Sequence, residues 1–387
     1  MTENKSVAEA ILRGSLDEAR TLLKNGEKIS GLFAENNKMG IFHVVFREKA
    51  IDLIDPLIES GLIETDIYEY ENFDYTIFKT IAEQLKADDA IVAFLKEIMS
   101  RITNSNDEVN NQTLLGFFIN EEAHPAIIQC LIDEGCRVDF KYDDDKNLIH
   151  RIMAHPKKLV YSDILINEGV NIDERDKFGI TPLMVAVGCN NIKGTDFLLE
   201  NGADIYEKDN NGNSVFFRAV AENHNYDLLL KLLEYSSIDF DSINTNGETV
   251  LSQFMKNMYE YDDDHVSILV KLIESGADLQ QAVMYQGALK SGMDWLAEKE
   301  ENVLEAVVGL IDVNDQDDHG NTLLHKICAI DVIQDRERVK MLYKKAKMLL
   351  NAGALVDITN TKDETALMLA QQDDFKIKIV ELLMMKQ

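Results

Sequence analysis

The sequence predicts an all-α chain built as a continuous stack of helix-turn-helix units joined by short β-hairpin-like fingers. One local order returns along the chain: a turn, a helix start, a short apolar helix, an amphipathic helix and a glycine stop. It returns at nearly constant spacing, which a string of unrelated globular domains would not do. With 45% hydrophobic residues in 387, there are enough apolar side chains for a core running the whole length.

The clearest copy is Asp176 to Lys208, DKFGITPLMVAVGCNNIKGTDFLLENGADIYEK. Asp176 and Gly179 suit a tight turn, Thr181 can cap the next helix through its hydroxyl, and Pro182 sits at the first helical position, where a missing N–H costs nothing. Leu183, Val185, Ala186 and Val187 make a short apolar helix; a second carries Phe197, Leu198 and Leu199 and ends at Asn201-Gly202. The stretch resembles an ankyrin repeat. That resemblance implies an ankyrin repeat solenoid of about ten to eleven units, elongated and curved, binding a protein partner through finger tips and first helices.

Val7 to Gly26 holds two helical patterns without a leading turn, which marks 1–34 as an N-terminal capping helix pair with a polar outer face. Units then start near 35, 71, 108, 142, 176, 209, 244, 283, 317 and 360, each spacing equal to the repeat length or longer by a loop-sized insertion. Gly40-Ile-Phe-His43, Thr76-Ile-Phe-Lys79, Thr113-Leu-Leu-Gly116, Asn147-Leu-Ile-His150, Thr322-Leu-Leu-His325 and Thr365-Ala-Leu-Met368 are the successive helix starts, and Ser214 is a further cap. The repeats proper cover 35–316, irregular at 279–316, where a helix-turn pattern persists without a Thr-Pro-Leu-His segment and the single tryptophan, Trp295, falls. The stretch 317–387 holds the C-terminal repeats, with an insertion that lengthens one helix. One repeat domain over 1–387 leaves no room for another.

Charge limits the partners. Asp plus Glu number 69 against 39 Lys plus Arg, a formal net charge of -30. Such a field repels phosphate backbones and anionic lipids and attracts basic proteins, so a basic protein partner is expected, with no nucleic acid and no membrane. No basic leader followed by an apolar segment and no spanning apolar run is present, so a cytoplasmic chain, or one secreted into a host cell, is expected; a monomer is expected as well. Cys130, Cys136, Cys189 and Cys328 fit unpaired buried thiols in a reducing compartment.

Chemistry has little footing. His43, His150 and His325 end Thr-Pro-Leu-His-like segments, where the family resemblance implies a hydrogen bond tying one turn to the next rather than catalysis. Asp312 to Gly320 is carboxylate-rich, but its glycine is ninth and Leu323 stands where a calcium loop needs a bidentate Glu. Cys130 and Cys136 have no second pair to complete a zinc set. No nucleophile elbow, phosphate loop or zinc-protease helix occurs. The expectation is a non-enzyme without cofactor or metal; an enzyme with an undetected site is the competing class.

What remains is surface. Tyr68, Glu69, Tyr70, Glu71, Phe73, Asp74 and Tyr75 mix aromatics with carboxylates in one finger, a composition suited to a basic partner and equally to a finger with Phe73 and one tyrosine packed beneath it. Asp143, Asp144 and Asp145, with Lys177 and Phe178, extend this strip into neighbouring fingers. Tyr259 to Asp264 repeats the aromatic and acidic theme, while Arg336, Arg338, Lys340, Lys344, Lys345 and Lys347 form a basic cluster that a solvated helix face would equally explain. Two biological uses fit this scaffold: an intracellular adaptor, or a bacterial immunity or secreted effector protein that binds a basic toxin or host protein.

Overall fold

The computed structural model describes residues 6–84, 86–259, 262–332 and 335–386. Its residues divide into two compact units, Met1–Val185 and Ala186–Gln387. Helix pairs build both, and the fold is that of an ankyrin repeat array.

In the first unit, Val7–Leu12 and Leu16–Lys24 form the opening pair, with a capping box between Ser6 and Glu9. A short additional helix, Leu32–Asn36, precedes Lys38–Arg47. Further first helices are Ile77–Ala82, Leu114–Asn120 and Leu148–Met153, and the second helices include Asp89–Met99 and Pro125–Asp133. Pro182–Gly188 follows. The second unit continues through Ile192–Glu200, Tyr226–Tyr235, Val250–Asn257, Asp263–Glu274, Leu323–Ala329, Arg336–Asn351, Ala366–Ala370 and Ile377–Met384.

The same chemistry starts six of the first helices. Thr113, Asn147, Thr181, Thr249, Thr322 and Thr365 each accept a backbone N–H three residues on, at 3.1 to 3.4 Å. Each satisfies an amide that helix geometry leaves without a partner. Ser214 makes no such bond; after Val215–Phe217 the chain widens into a π-helix, Arg218–Glu222.

The turn before five of the starts is equally uniform. Asp176, Asp209, Asn244, Asp317 and Asn360 donate their backbone N–H to a carbonyl four residues on, at 3.0 to 3.1 Å. The same side chains accept N–H groups from two and four residues on, at 2.8 to 3.0 Å. The resulting fingers are hydrogen-bonded turns rather than strands.

A second ladder runs from side chains of one repeat to carbonyls at or just past the C-terminal ends of the preceding repeat's first helix, where carbonyls lack helical partners. Tyr161 donates to the Ala123 carbonyl at 2.6 Å, Asn223 to Val187 at 2.7 Å, Asn257 to Ala221 at 3.1 Å and Lys376 to Cys328 at 2.8 Å. Lys345, fully buried, donates to the carbonyls of Leu296, Ala297 and Lys299 at 2.6 to 2.8 Å. It therefore belongs to the interior, not to a basic surface cluster.

The stretch 279–316 departs from the expected helix-turn pattern. It opens with an antiparallel hairpin, Ala282–Tyr285 paired with Ala288–Ser291, the one sheet among the described residues. Gln286 and Gly287 both have positive φ, 51° and 85°, the geometry of a two-residue turn that matches strand twist. Gly292–Glu298 and Glu301–Val307 complete that repeat, with Trp295 buried in the first.

Candidate functional site

The finger from Asp66 to Tyr75 separates its own residues into two sets. Asp66 accepts the Tyr68 amide at 3.1 Å and so nucleates the turn Ile67–Glu69. Tyr68 and Tyr75 stand out at 77% and 70% exposure, with Glu69, Glu71 and Asp74 exposed beside them. Tyr70 points inward: its hydroxyl donates to the Glu64 carbonyl at 2.7 Å and its ring lies 5.8 Å from that of Phe78. Phe73 is fully buried, 5.1 Å from the Phe117 ring. The expected contact set therefore loses Phe73 and Tyr70 to the core, because the finger needs an apolar root on which to stand.

Hydrogen bonds string the expected residues together. Asn110 donates to the Glu71 carbonyl at 2.7 Å; the Asp143 amide donates to Asn111 Oδ1 at 3.4 Å; the Lys177 amide donates to the Asp144 carbonyl at 3.0 Å. Four successive fingers of the first unit thus present their tips in one row. Lys177 and Phe178 are exposed, with the ammonium 5.2 Å from the ring centre.

The acidic residues in this row are not equivalent. Burial and a hydrogen bond shared with Glu69 push the Glu64 carboxyl up, more than the nearby Lys38 charge offsets. Asp143 and Asp145 are exposed. Burial alone would raise Asp144, but Lys146 at 2.7 Å more than offsets it and holds the carboxyl below its ordinary range. Glu174 is likewise held low, by Lys141 at 2.6 Å. So Asp144 and Glu174 are paired with cations, while Asp143 and Asp145 stand exposed.

Cations elsewhere clamp neighbouring helix pairs: Arg20 to Asp52 and Lys49 to Asp88 at 2.7 Å, Arg101 to Asp55 at 3.1 Å, Lys344 to Glu301 at 2.6 Å. The expected basic cluster is divided by this. Lys340 pairs with Glu337, Lys345 is buried, and Arg336, Arg338 and Lys347 remain exposed. In the later acidic insertion Tyr259 is 78% exposed and Asp262 caps the following helix; Glu260 and Tyr261 lie outside the described residues.

Two of the three histidines make the expected ties between repeats. His150 Nε2 reaches the Ile180 carbonyl at 2.9 Å and His325 Nε2 the Glu364 carbonyl at 3.2 Å, while each Nδ1 faces its own helix cap. Burial pushes both imidazoles below the ordinary histidine range. His43 does not: it is exposed and its Nδ1 lies 2.7 Å from the Met39 carbonyl of its own helix. Beside His325, Lys326 bridges Asp294 and Asp317 at 2.7 and 2.6 Å. Asp317 also accepts two turn amides, so this carboxylate has a complete structural duty. Among the described residues no group of three or more His, Cys, Asp or Glu could hold a metal, and no helix is long and apolar enough to cross a membrane. Cys130, Cys136 and Cys328 are buried, and burial raises their thiols to about 11, 12 and 12. Cys189, expected inside, is exposed.

Repeated helix pairs, recurring caps and serially bonded fingers define a helical repeat protein. The family model for ankyrin repeats in three copies matches residues 115–209, and a second ankyrin model matches 190–233. Residues 115–233 thus match ankyrin repeat models. The chain is similar to an ankyrin repeat protein of Acanthamoeba polyphaga mimivirus, 24% identical over 293 residues, 71% of this chain and 36% of that relative. Another ankyrin repeat protein of the same virus is 21% identical over 360 residues, 87% of this chain and 45% of the relative. The chain thus spans less than half the length of either viral relative. Among solved structures, the crystal structure of the ankyrin repeat domain of Bcl-3 is matched at 21% identity with a TM-score of 0.48, covering 62% of this chain and 100% of that one.

Proposed function

We propose that the chain is a non-catalytic scaffold that captures a basic protein on the fingertip row of its first unit. Ankyrin repeats mediate protein–protein interaction, and the coarse role needs nothing more than the family. The finer reading is supported by one observation: the tips carrying Tyr68, Glu69, Glu71, Asp74, Tyr75, Asp143, Asp145, Lys177 and Phe178 are hydrogen-bonded in series. Exposed aromatics beside carboxylates with few counterions suit a partner presenting Lys or Arg.

Between residues 51 and 150 there are 22 acidic and 7 basic side chains, so the excess charge is concentrated in this same part of the chain. Carboxylate pairs occupy Lys79, Lys96, Arg101, Arg137, Lys141 and Lys146 there, which leaves the tips carrying Glu69, Glu71, Asp74, Asp143 and Asp145. A cytoplasmic setting and a monomeric state belong to the same reading.

A quantitative pull-down at about 0.05 M and 0.5 M salt tests it, since exposed charge pairs are screened over that range. The full chain should enrich a basic protein at low salt and release it at high salt. A Tyr68→Ala/Tyr75→Ala/Asp143→Asn/Asp145→Asn variant with unchanged melting should fail to enrich it. Retention of the same partner by that variant would move the interface away from these fingers.

A further inference from the structure

The hairpin Ala282–Ser291 in the second unit has a construction that the fingertips lack. One face is anchored: Val283 is buried, Tyr285 packs against Trp295 at 5.8 Å between ring centres, and Lys290 lies over both rings at 5.5 and 5.4 Å while pairing with Glu298 at 2.6 Å. Its base is tight as well. Met293 donates to the Leu279 carbonyl at 3.0 Å, and a Cβ on Gly292 would lie 2.6 Å from the Leu279 side chain and 3.0 Å from its Cα.

The opposite face is open. Met284 and Leu289 are cross-strand partners, 62% and 63% exposed. In a hairpin closed by a two-residue turn they form a non-hydrogen-bonded pair, so their N–H and C=O groups point to the two outer edges. Those edges have no neighbouring strand, because the sheet has only two strands.

Exposed edges are ordinarily protected by charge, proline or a bulge. Residues 279–289, LQQAVMYQGAL, contain no charged side chain and no proline in a chain that is 28% charged, and the one charge within the two strands, Lys290, lies over the rings of the anchored face. Carboxylates border the neutral stretch, with Glu274 and Asp278 exposed just before it and Glu298 exposed beyond.

We infer that this hairpin is a strand-docking edge for an extended segment of a partner protein, apolar at alternate positions and flanked by Lys or Arg. Backbone bonding to an edge supplies affinity without demanding a particular sequence, and Met284 with Leu289 supplies the apolar contact. The anchored face holds the edge ready, which lowers the ordering cost of binding. A second copy of this chain is the poorer occupant: each copy carries -30, and the acidic rim would meet another acidic rim. This inference does not depend on the fingertips of the first unit.

The test uses the full chain and a labelled synthetic peptide of alternating valine and threonine with lysine pairs at both ends. Anisotropy should rise saturably. Affinity should fall at least ~10-fold for the peptide N-methylated at alternate residues, for a lysine-flanked glycine-serine peptide, and for the Met284→Lys/Leu289→Lys chain. That variant should melt at the wild-type temperature, and hydrogen exchange at Met284 and Leu289 should slow only when the first peptide is bound. No saturable binding, or equal binding by the two control peptides or by the variant, would overturn the inference. A wild-type dimer abolished by Met284→Lys would overturn it in favour of self-pairing.

Discussion

His150 and His325 show how one side chain holds two repeats, since each closes a helix cap with one ring nitrogen and reaches the next turn's carbonyl with the other. Replacing either with Ala leaves buried groups unpaired and should cost about 1–3 kcal/mol in denaturant unfolding. The sign of the pH dependence follows from burial, which places the folded pKa below the unfolded one. As pH falls through the ordinary histidine range toward the folded value, the unfolded chain binds the proton first and stability is lost. The destabilisation by His150→Ala should therefore be smaller at acidic pH than above the ordinary histidine range, a difference that unfolding midpoints of both proteins at two pH values will show. The acidic row offers a second comparison. Asp144→Asn breaks the Lys146 pair and should lower the melting temperature, whereas Asp143→Asn and Asp145→Asn should leave it unchanged or slightly higher. Thermal scans of the three single variants decide this.

At the scale of the element, the turn glycines divide by what lies against them. Gly320 and Gly247 both have left-handed φ, 75° and 74°, but a Cβ on Gly320 would lie 3.0 Å from the Asn360 Cα and the Thr361 nitrogen, while a Cβ on Gly247 meets nothing within 4 Å. Gly247→Ala should cost the backbone strain alone, about 1–2 kcal/mol. Gly320→Ala should cost more, because the next finger sits there and its Thr361 amide donates to the His319 carbonyl at 2.9 Å. Urea unfolding of the two variants measures the difference. These fingers were legible because every part is local: Asp317, Gly320, Thr322 and His325 stand in one short run of sequence and bond mainly to one another. Lys345 was not, since its carbonyl partners lie 46 to 49 residues away and its sequence neighbours suggested a basic face. The hairpin was overlooked for another reason. Its signal, Gln286-Gly287 between AVMY and ALKS, is weak because Ala and Lys are poor strand formers, and the flanking repeats favour a helix-turn pattern. The candidate site was legible in part: composition marked the right finger, whereas burial of Phe73 and Tyr70 depends on Phe78 and Phe117 from the helices beneath.

For the whole molecule, the governing quantity is the net charge of -30, left over after the cations have paired across repeats. Self-repulsion of this size opposes the folded state and is screened by salt. Raising sodium chloride toward about 0.3 M should therefore raise the melting temperature in differential scanning calorimetry. The same field should speed the approach of a basic protein and do less to hold it once bound. Association and dissociation rates of the captured partner, measured at two ionic strengths for the wild type, for Asp143→Asn/Asp145→Asn and for Tyr68→Ala/Tyr75→Ala, test the central claim most directly. The expected result is an association rate that salt suppresses in the wild type and that is already slow in the Asp variant, together with faster dissociation in the Tyr variant. Rates unchanged in both variants, with binding lost instead on replacing Tyr259 or Lys344, would contradict it.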